Sequence, residues 1–134
     1  MARTAAIRKP KSAPSAAVTI TLPELAKDEI YAGVLLKDGK PAHHLVLLPG
    51  DTSAQWKDAI AWAKEQGGEL PTRKEQALLF ANAAEHFRRE WYWSAEQSAG
   101  DASFAWCQYF SYGSQTTSHQ DNELRARAVR RITI

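Results

Sequence analysis

A chain of 134 residues that is 44% hydrophobic and 24% charged has the size and composition of one ordinary globular domain, able to bury roughly two-thirds of its unfolded surface. Its formal net charge of +2 is unevenly placed: residues 1–20 carry Arg3, Arg8, Lys9 and Lys11, and all 15 acidic side chains lie beyond them. This excludes a basic nucleic-acid-binding body; one cysteine excludes an intrachain disulfide and gives no metal-site spacing; and no run nears the roughly 18 apolar residues of a membrane helix.

Residues 1–17, MARTAAIRKPKSAPSAA, are rich in Ala, Pro, Ser and base, with little bulk beyond Ile7. Such a segment cannot offset its ordering entropy by burial and is expected to be a disordered or peripheral arm. Docking of the arm on a partner chain or on nucleic-acid phosphates is the alternative. Its Ala-rich stretch is broken by Lys, Pro and Ser, so no signal-peptide core follows. The expectation is cytoplasmic synthesis without export. Residues 18–134 then form the single domain.

In VTITLPEL, Val18, Ile20 and Leu22 alternate against Thr19 and Thr21, which predicts an edge strand ended by Pro23. The runs IYAGVLL and HHLVLLP flank a turn at Asp38-Gly39 and predict a hairpin. His43 and His44 are adjacent, so in a strand they point to opposite faces and cannot share one ion. Both are read as structural. In GDTSAQWKDAIAWAKEQGG, Thr52 with Gln55 fits a capping box, with Ser53 a competing N-cap. Trp56, Ala59, Ile60 and Ala63 form its apolar stripe, and Gly67-Gly68 ends it. A second helix opens on a capping box of Thr72 and Glu75, with Leu78, Leu79, Phe80 and Phe87 on its buried side.

After Trp91 the period changes. YWSAEQ predicts a strand, SAGDA a turn, and FAWCQYF a strand apolar on both faces, with Phe104, Trp106 and Phe110 on one side and Ala105, Cys107 and Tyr109 on the other. Trp91 to Gly113 holds three of the five tryptophans and three of the four tyrosines. Trp93, Phe104, Trp106 and Phe110 are expected in the core, and Cys107 as a buried, inert thiol. QTTSHQ is polar and β-compatible, and DNE breaks it. ARAVRRITI closes the same antiparallel sheet, with Ala128, Arg130 and Ile132 opposite Arg127, Val129 and Arg131. A hairpin, two capped helices and such a sheet predict an α+β domain.

The stretches GGELPTRKEQALLF, WYWSAEQ, FAWCQYFSYG and RARAVRRI resemble, in order, the DUF1566 family of bacterial and phage proteins. Leu70, Pro71, Thr72 and Glu75 match its helix start. Tyr92, Trp93, Ser94 and Glu96 match its Tyr-Trp-Ser strand; Ala105, Trp106 and Gly113 its Ala-Trp strand; Ala128, Val129 and Arg130 its terminal strand. The likeness spans about residues 44–133. It implies a C-type-lectin-like fold, two helices on a twisted antiparallel sheet, related to the formylglycine-generating enzymes and to the variable proteins of diversity-generating retroelements. Fold transfers along such a likeness better than function.

Formylglycine-generating chemistry uses a cysteine pair or copper-binding thiols, and only Cys107 is present. Ser94, His119 and Glu96 can be assembled into a triad on paper, but no nucleophile-elbow motif supports it. A small enzyme is the least favoured class. Asp121, Asn122 and Glu123 are calcium-type oxygen ligands, yet the sugar-binding sequence motifs of the lectins are missing, and an acidic turn is the simpler reading; no cofactor is expected. In the relatives, ligands are met between the Ala-Trp strand and the terminal strand. Here that segment offers Tyr109, Tyr112, Gln115, His119 and Asn122 amid small polar residues, a paratope-like mixture. The resulting expectation is a non-enzymatic phage or prophage binding protein for a protein or glycan partner. The alternative is a virion or assembly component, or a host-factor inhibitor, that acts through the basic arm. Arg127 and Arg131 offer a basic edge to acidic partners or a guard against edge-to-edge aggregation, and short edge strands allow a homo-oligomer.

Overall fold

The computed structural model describes residues 19–134, and the basic arm expected over residues 1–17 lies outside them. The first paired segment is the hairpin of β1 (Ile30–Lys37) and β2 (Lys40–Leu47). Asp38 and Gly39 both take positive φ, +52° and +76°, so the two-residue turn has the handedness that matches the strand twist. The edge strand expected at Val18–Leu22 does not form. Thr19–Leu22 lie exposed outside any ladder, and Val18 falls outside the described residues. Alternation alone supplied no partner for their backbone groups.

A short strand β3 (Thr52–Ala54) leads into α1 (Trp56–Glu65). The capping box read from Thr52 and Gln55 is therefore absent, as is the Ser53 cap. Thr52, Ser53 and Ala54 pair instead with Ala126, Arg125 and Leu124. The N-cap is Gln55, without a side-chain cap. A tertiary acceptor replaces it: the Trp56 N–H donates to the Gln120 carbonyl at 3.1 Å. Gly67 (φ +88°) ends the helix as expected. At α2 (Arg73–Ala83) the capping box forms in full, with Thr72 Oγ1 accepting the Glu75 N–H and the Glu75 carboxylate accepting the Thr72 N–H.

After a 3-10 turn (Ala84–His86) come β4 (Trp91–Gln97), β5 (Phe104–Tyr109), β6 (Gln115–His119), β7 (Leu124–Ala126) and β8 (Val129–Thr133). The domain is α+β, but its strands make two sheets rather than one. A five-stranded sheet runs β3-β7-β4-β5-β6, and a three-stranded sheet runs β1-β2-β8. Pairing is antiparallel apart from the single β4–β7 contact at Tyr92 and Arg125. The chain changes sheets at Arg127-Ala128. β8 pairs with β2, Val129 opposite Leu47, so the last strand closes on the N-terminal hairpin.

Helix α1 covers one face of the five-stranded sheet, and α2 packs between that sheet and the three-stranded one. Trp56, Ala59 and Ala63 of α1 bury against Trp93, Ala105 and Cys107. The second core joins Leu79 and Ala83 of α2 to Leu45, Leu47, Tyr92, Phe87 and Phe110. Both indoles on the α1 side find backbone acceptors: Trp56 Nε1 donates to the Ser94 carbonyl at 2.8 Å and Trp93 Nε1 to Ala54 at 2.9 Å. Strand β5 alternates as expected but corrects the burial of Phe104 and Trp106. Ala105 and Cys107 point into the core while Phe104 and Trp106 are only half-buried. Small side chains face α1 because Trp93, opposite Cys107 in register, already fills that space. Trp93 and Phe110 are core; Phe104 and Trp106 are not.

Candidate functional site

Strands β5 and β6 are joined by a tight turn in which the Gly113 N–H donates to the Tyr109 carbonyl and the Tyr109 N–H to Ser114. Gly113 has φ +78°, and any Cβ there would meet the Phe80 ring at 2.8 Å. The turn is thus seated directly on α2 and only glycine permits the approach. This seating leaves Tyr112 79% exposed. Its ring lies 5.9 Å from that of Tyr109, which stacks on Trp91 at 5.1 Å and 29°. Three aromatic rings therefore form a ladder from half-buried to open, beside the exposed Arg89.

The turn is a ridge between three concavities. One, of about 410 Å³, lies beside Trp91 and Tyr109 and carries Arg89, Glu90 and Arg125. A second, of about 540 Å³, opens under Tyr112 over Phe80, Phe87 and Phe110. The largest, about 750 Å³, lies between the first turn of α2 and β5–β6, and is lined by Arg73, Lys74, Glu96, Gln108, Gly113 and Gln115.

The five residues anticipated from sequence do not converge. Tyr109 and Tyr112 meet in the ladder. Gln115 belongs to the largest cleft, where its amide donates to the Arg73 carbonyl (2.9 Å) and accepts from Arg73 Nε (3.0 Å). His119 ends β6, about 13 Å further along the strand at its ordinary rise. There its ring stands edge-on to Phe104 and its Nδ1 accepts the Asp121 N–H. Asn122 closes that far turn, its N–H on the His119 carbonyl and its side chain on Ser118. A strand separates the two ends, so Tyr109, Tyr112 and Gln115 lie at the β5–β6 turn and His119 and Asn122 at the far end of β6.

Residues the sequence did not single out complete the surface, namely Trp91, Arg89 and Arg73, together with Glu96, which was read only as part of a strand motif and of the paper triad. Arg73 lies with its guanidinium 3.4 Å over the Trp106 ring centroid, a contact between positions 33 apart that no local pattern announces. Ser94 is fully buried, its Oγ accepting the Glu96 N–H, whereas His119 is engaged by Phe104 and Asp121; the paper triad has no shared locus. Cys107 is buried, and burial pushes its thiol up to about 12. His43 and His44 diverge as expected, His43 to Glu75 and His44 to the Tyr31 hydroxyl, each at 2.8 Å. Among the described residues no three His, Cys, Asp or Glu side chains are grouped to hold a metal ion, and no helix is long and apolar enough to cross a membrane.

The framework beneath the largest cleft is a charged one. Burial alone would raise the Glu75 carboxyl, but Arg131, the Thr72 N–H and His43 together hold it below its ordinary value. Arg131 grips it bidentately at 2.6 and 2.7 Å. This ties the start of α2 to β8 and fixes the floor on which Thr72, Arg73 and Lys74 stand. The sequence matches no protein-family model, and no curated protein matches it.

Proposed function

We propose that this chain is a non-enzymatic binding protein that captures a protein partner through the β5–β6 turn. The carrying observation is the Trp91–Tyr109–Tyr112 ladder, whose outermost ring is left open to solvent on a turn pinned to α2. Trp, Tyr and Arg are the side chains that dominate binding energy at protein interfaces, most of all when they are rigid and centred between complementary pockets. Here Arg89 borders two of the concavities that flank the ladder. Rigid aromatics lose little conformational entropy on binding.

We further propose that the domain is C-type-lectin-like and of the DUF1566 kind. The complete Thr72–Glu75 capping box, the burial of Trp93 between α1 and β5, and the glycine turn at Gly113 all fall on positions that carry the resemblance. Phage or prophage origin rests on that resemblance alone. The test is affinity capture from bacterial host lysate with three proteins: the full chain, Tyr112→Ala, and a version lacking residues 1–17. A partner held by the full chain and the shortened chain, and lost with Tyr112→Ala at unchanged thermal stability, supports the reading. Loss with the shortened chain alone assigns binding to the arm and overturns it. Retention on an oligosaccharide array, with no protein captured, makes the partner a glycan instead.

A further inference from the structure

Of the seven arginines among the described residues, Arg88 and Arg89 are exposed and four are consumed by acceptors. Arg125 donates to Asp51, Arg130 to Glu29, Arg131 to Glu75 and Glu69, and Arg127 to the His86 and Leu48 carbonyls. Arg73 differs. One face of its guanidinium lies on Trp106 and its Nε is held by Gln115, yet among the described residues nothing accepts from Nη1 or Nη2. The Glu96 carboxylate, the acidic group lining this cleft, is turned to the Arg73 backbone N–H at 2.6 Å rather than to the fork.

The support behind this arginine reaches into the core. The Gln115 amide donates to Gln108 Oε1 as well as to the Arg73 carbonyl; Gln108 Nε2 donates to the Gln76 carbonyl; and Gln76 Nε2 donates to the Tyr92 and Trp93 carbonyls. Gln76 and Gln108 are fully buried. Burying two amides is costly unless they are hydrogen-bonded, and of their side-chain polar atoms Gln76 Oε1 alone is left without a partner among the described residues. What they hold is the Gln115 oxygen that fixes Arg73 Nε. A guanidinium fixed at Nε and on its face, with no acceptor on either terminal nitrogen among the described residues, is preorganised for two parallel hydrogen bonds to a planar oxyanion.

We infer that the cleft between the first turn of α2 and β5–β6 is a carboxylate-binding site, in which the Arg73 fork takes the carboxylate and Lys74 adds charge. The nearby Glu96 sets the class, since it repels a dianion such as phosphate more strongly than a monocarboxylate. A volume of about 750 Å³ admits an organic body behind the carboxylate. This site is distinct from the aromatic ladder and stands or falls separately from it.

The probe is benzoylglycine, an aromatic monocarboxylate, titrated against the isotope-labelled full chain by NMR, with inorganic phosphate as a parallel arm. Saturable shifts are expected at the Trp106 indole N–H, the Arg73 Nε–H and the Gln115 side-chain amide. Arg73→Lys keeps the charge and loses the fork, and should weaken binding about tenfold, the loss of one charge-assisted hydrogen bond. Glu96→Gln should tighten it by about two- to fivefold through relief of like-charge repulsion, and Tyr112→Ala should leave it unchanged. Because Glu96→Gln alters an exposed side chain, it tests the idea even if Arg73→Lys destabilises the fold. Shifts scattered away from Trp106, equal affinity in Arg73→Lys, weaker binding in Glu96→Gln, or phosphate binding more tightly than benzoylglycine would each overturn the assignment.

Discussion

Glu75→Gln isolates the charge of the buried pair that joins α2 to β8. Gln retains the capping-box acceptor for the Thr72 N–H, because Oε1 survives, so the cap itself is preserved. What is lost lies at the second oxygen, which accepts from Arg131 Nε at 2.6 Å and meets His43 Nε2 at 2.8 Å. His43 can answer with its other tautomer and become an acceptor; Arg131 cannot. One donor then faces another, and the guanidinium has lost its buried counter-charge. Breaking a fully buried pair from one side costs about 3–5 kcal/mol. Arg131 is 27% exposed and keeps Glu69 as a partner at 2.9 Å, which lowers the expected loss to about 2–3 kcal/mol.

That loss corresponds to a fall in Tm of roughly 6–12 °C for a domain of this size. Urea denaturation of wild type, Glu75→Gln, Arg131→Met and the double variant closes the cycle, with a coupling of at least about 1 kcal/mol expected. The same pair predicts an acid limb. The folded Glu75 carboxyl lies below its ordinary value of 4.5, so its contribution is whole above that pH and is lost as pH falls through the folded value. Glu75→Gln should therefore flatten the stability profile below pH 4.5. A destabilisation under about 0.5 kcal/mol, or an unchanged acid limb, would refute the view that this pair anchors α2.

Cys107, buried with its Sγ on the Thr116 carbonyl, should react with a thiol reagent at pH 8 at least about a hundredfold slower in the native protein than in urea; a native rate equal to that of a free thiol would show the β5–β6 pair to be open. The two adjacent glycines after α1 should separate sharply in denaturation experiments. Gly68→Ala places a Cβ 2.2 Å from the Val129 carbonyl oxygen and disrupts the Glu69–Val129 bridge, so about 3 kcal/mol is expected. Gly67→Ala meets open space and should cost only about 1 kcal/mol for its positive φ; the reverse order would contradict the packing of the segment after α1 against β8.

Local rules carried the sequence reading where the interactions are local. Asp38-Gly39 named its turn, Thr72 and Glu75 named a capping box that is fully formed, and Gly67 named a helix end, because each depends on residues within four positions. The same rules misread Thr52, where pairing with Ala126 outweighed a cap, and placed a half-buried Trp106 in the core. Tyr109 and Tyr112 were legible as candidates since three residues and a glycine turn bring them together. His119 and Asn122 were not separable from them by composition, and only the length of β6 sets them apart.

By itself the sequence determined an α+β domain with two helices, a tight hairpin and an aromatic-rich C-terminal sheet, since periodicity and turn chemistry act along the chain. Tertiary structure alone decided that β8 leaves that sheet to pair with β2, that Arg131 meets Glu75 across 56 positions, and that Arg73 rests on Trp106. Those contacts arise from where strands cross and which faces helices cover. Nothing in the neighbouring residues encodes them, because the free energy that selects them is gained only once distant surfaces leave water together.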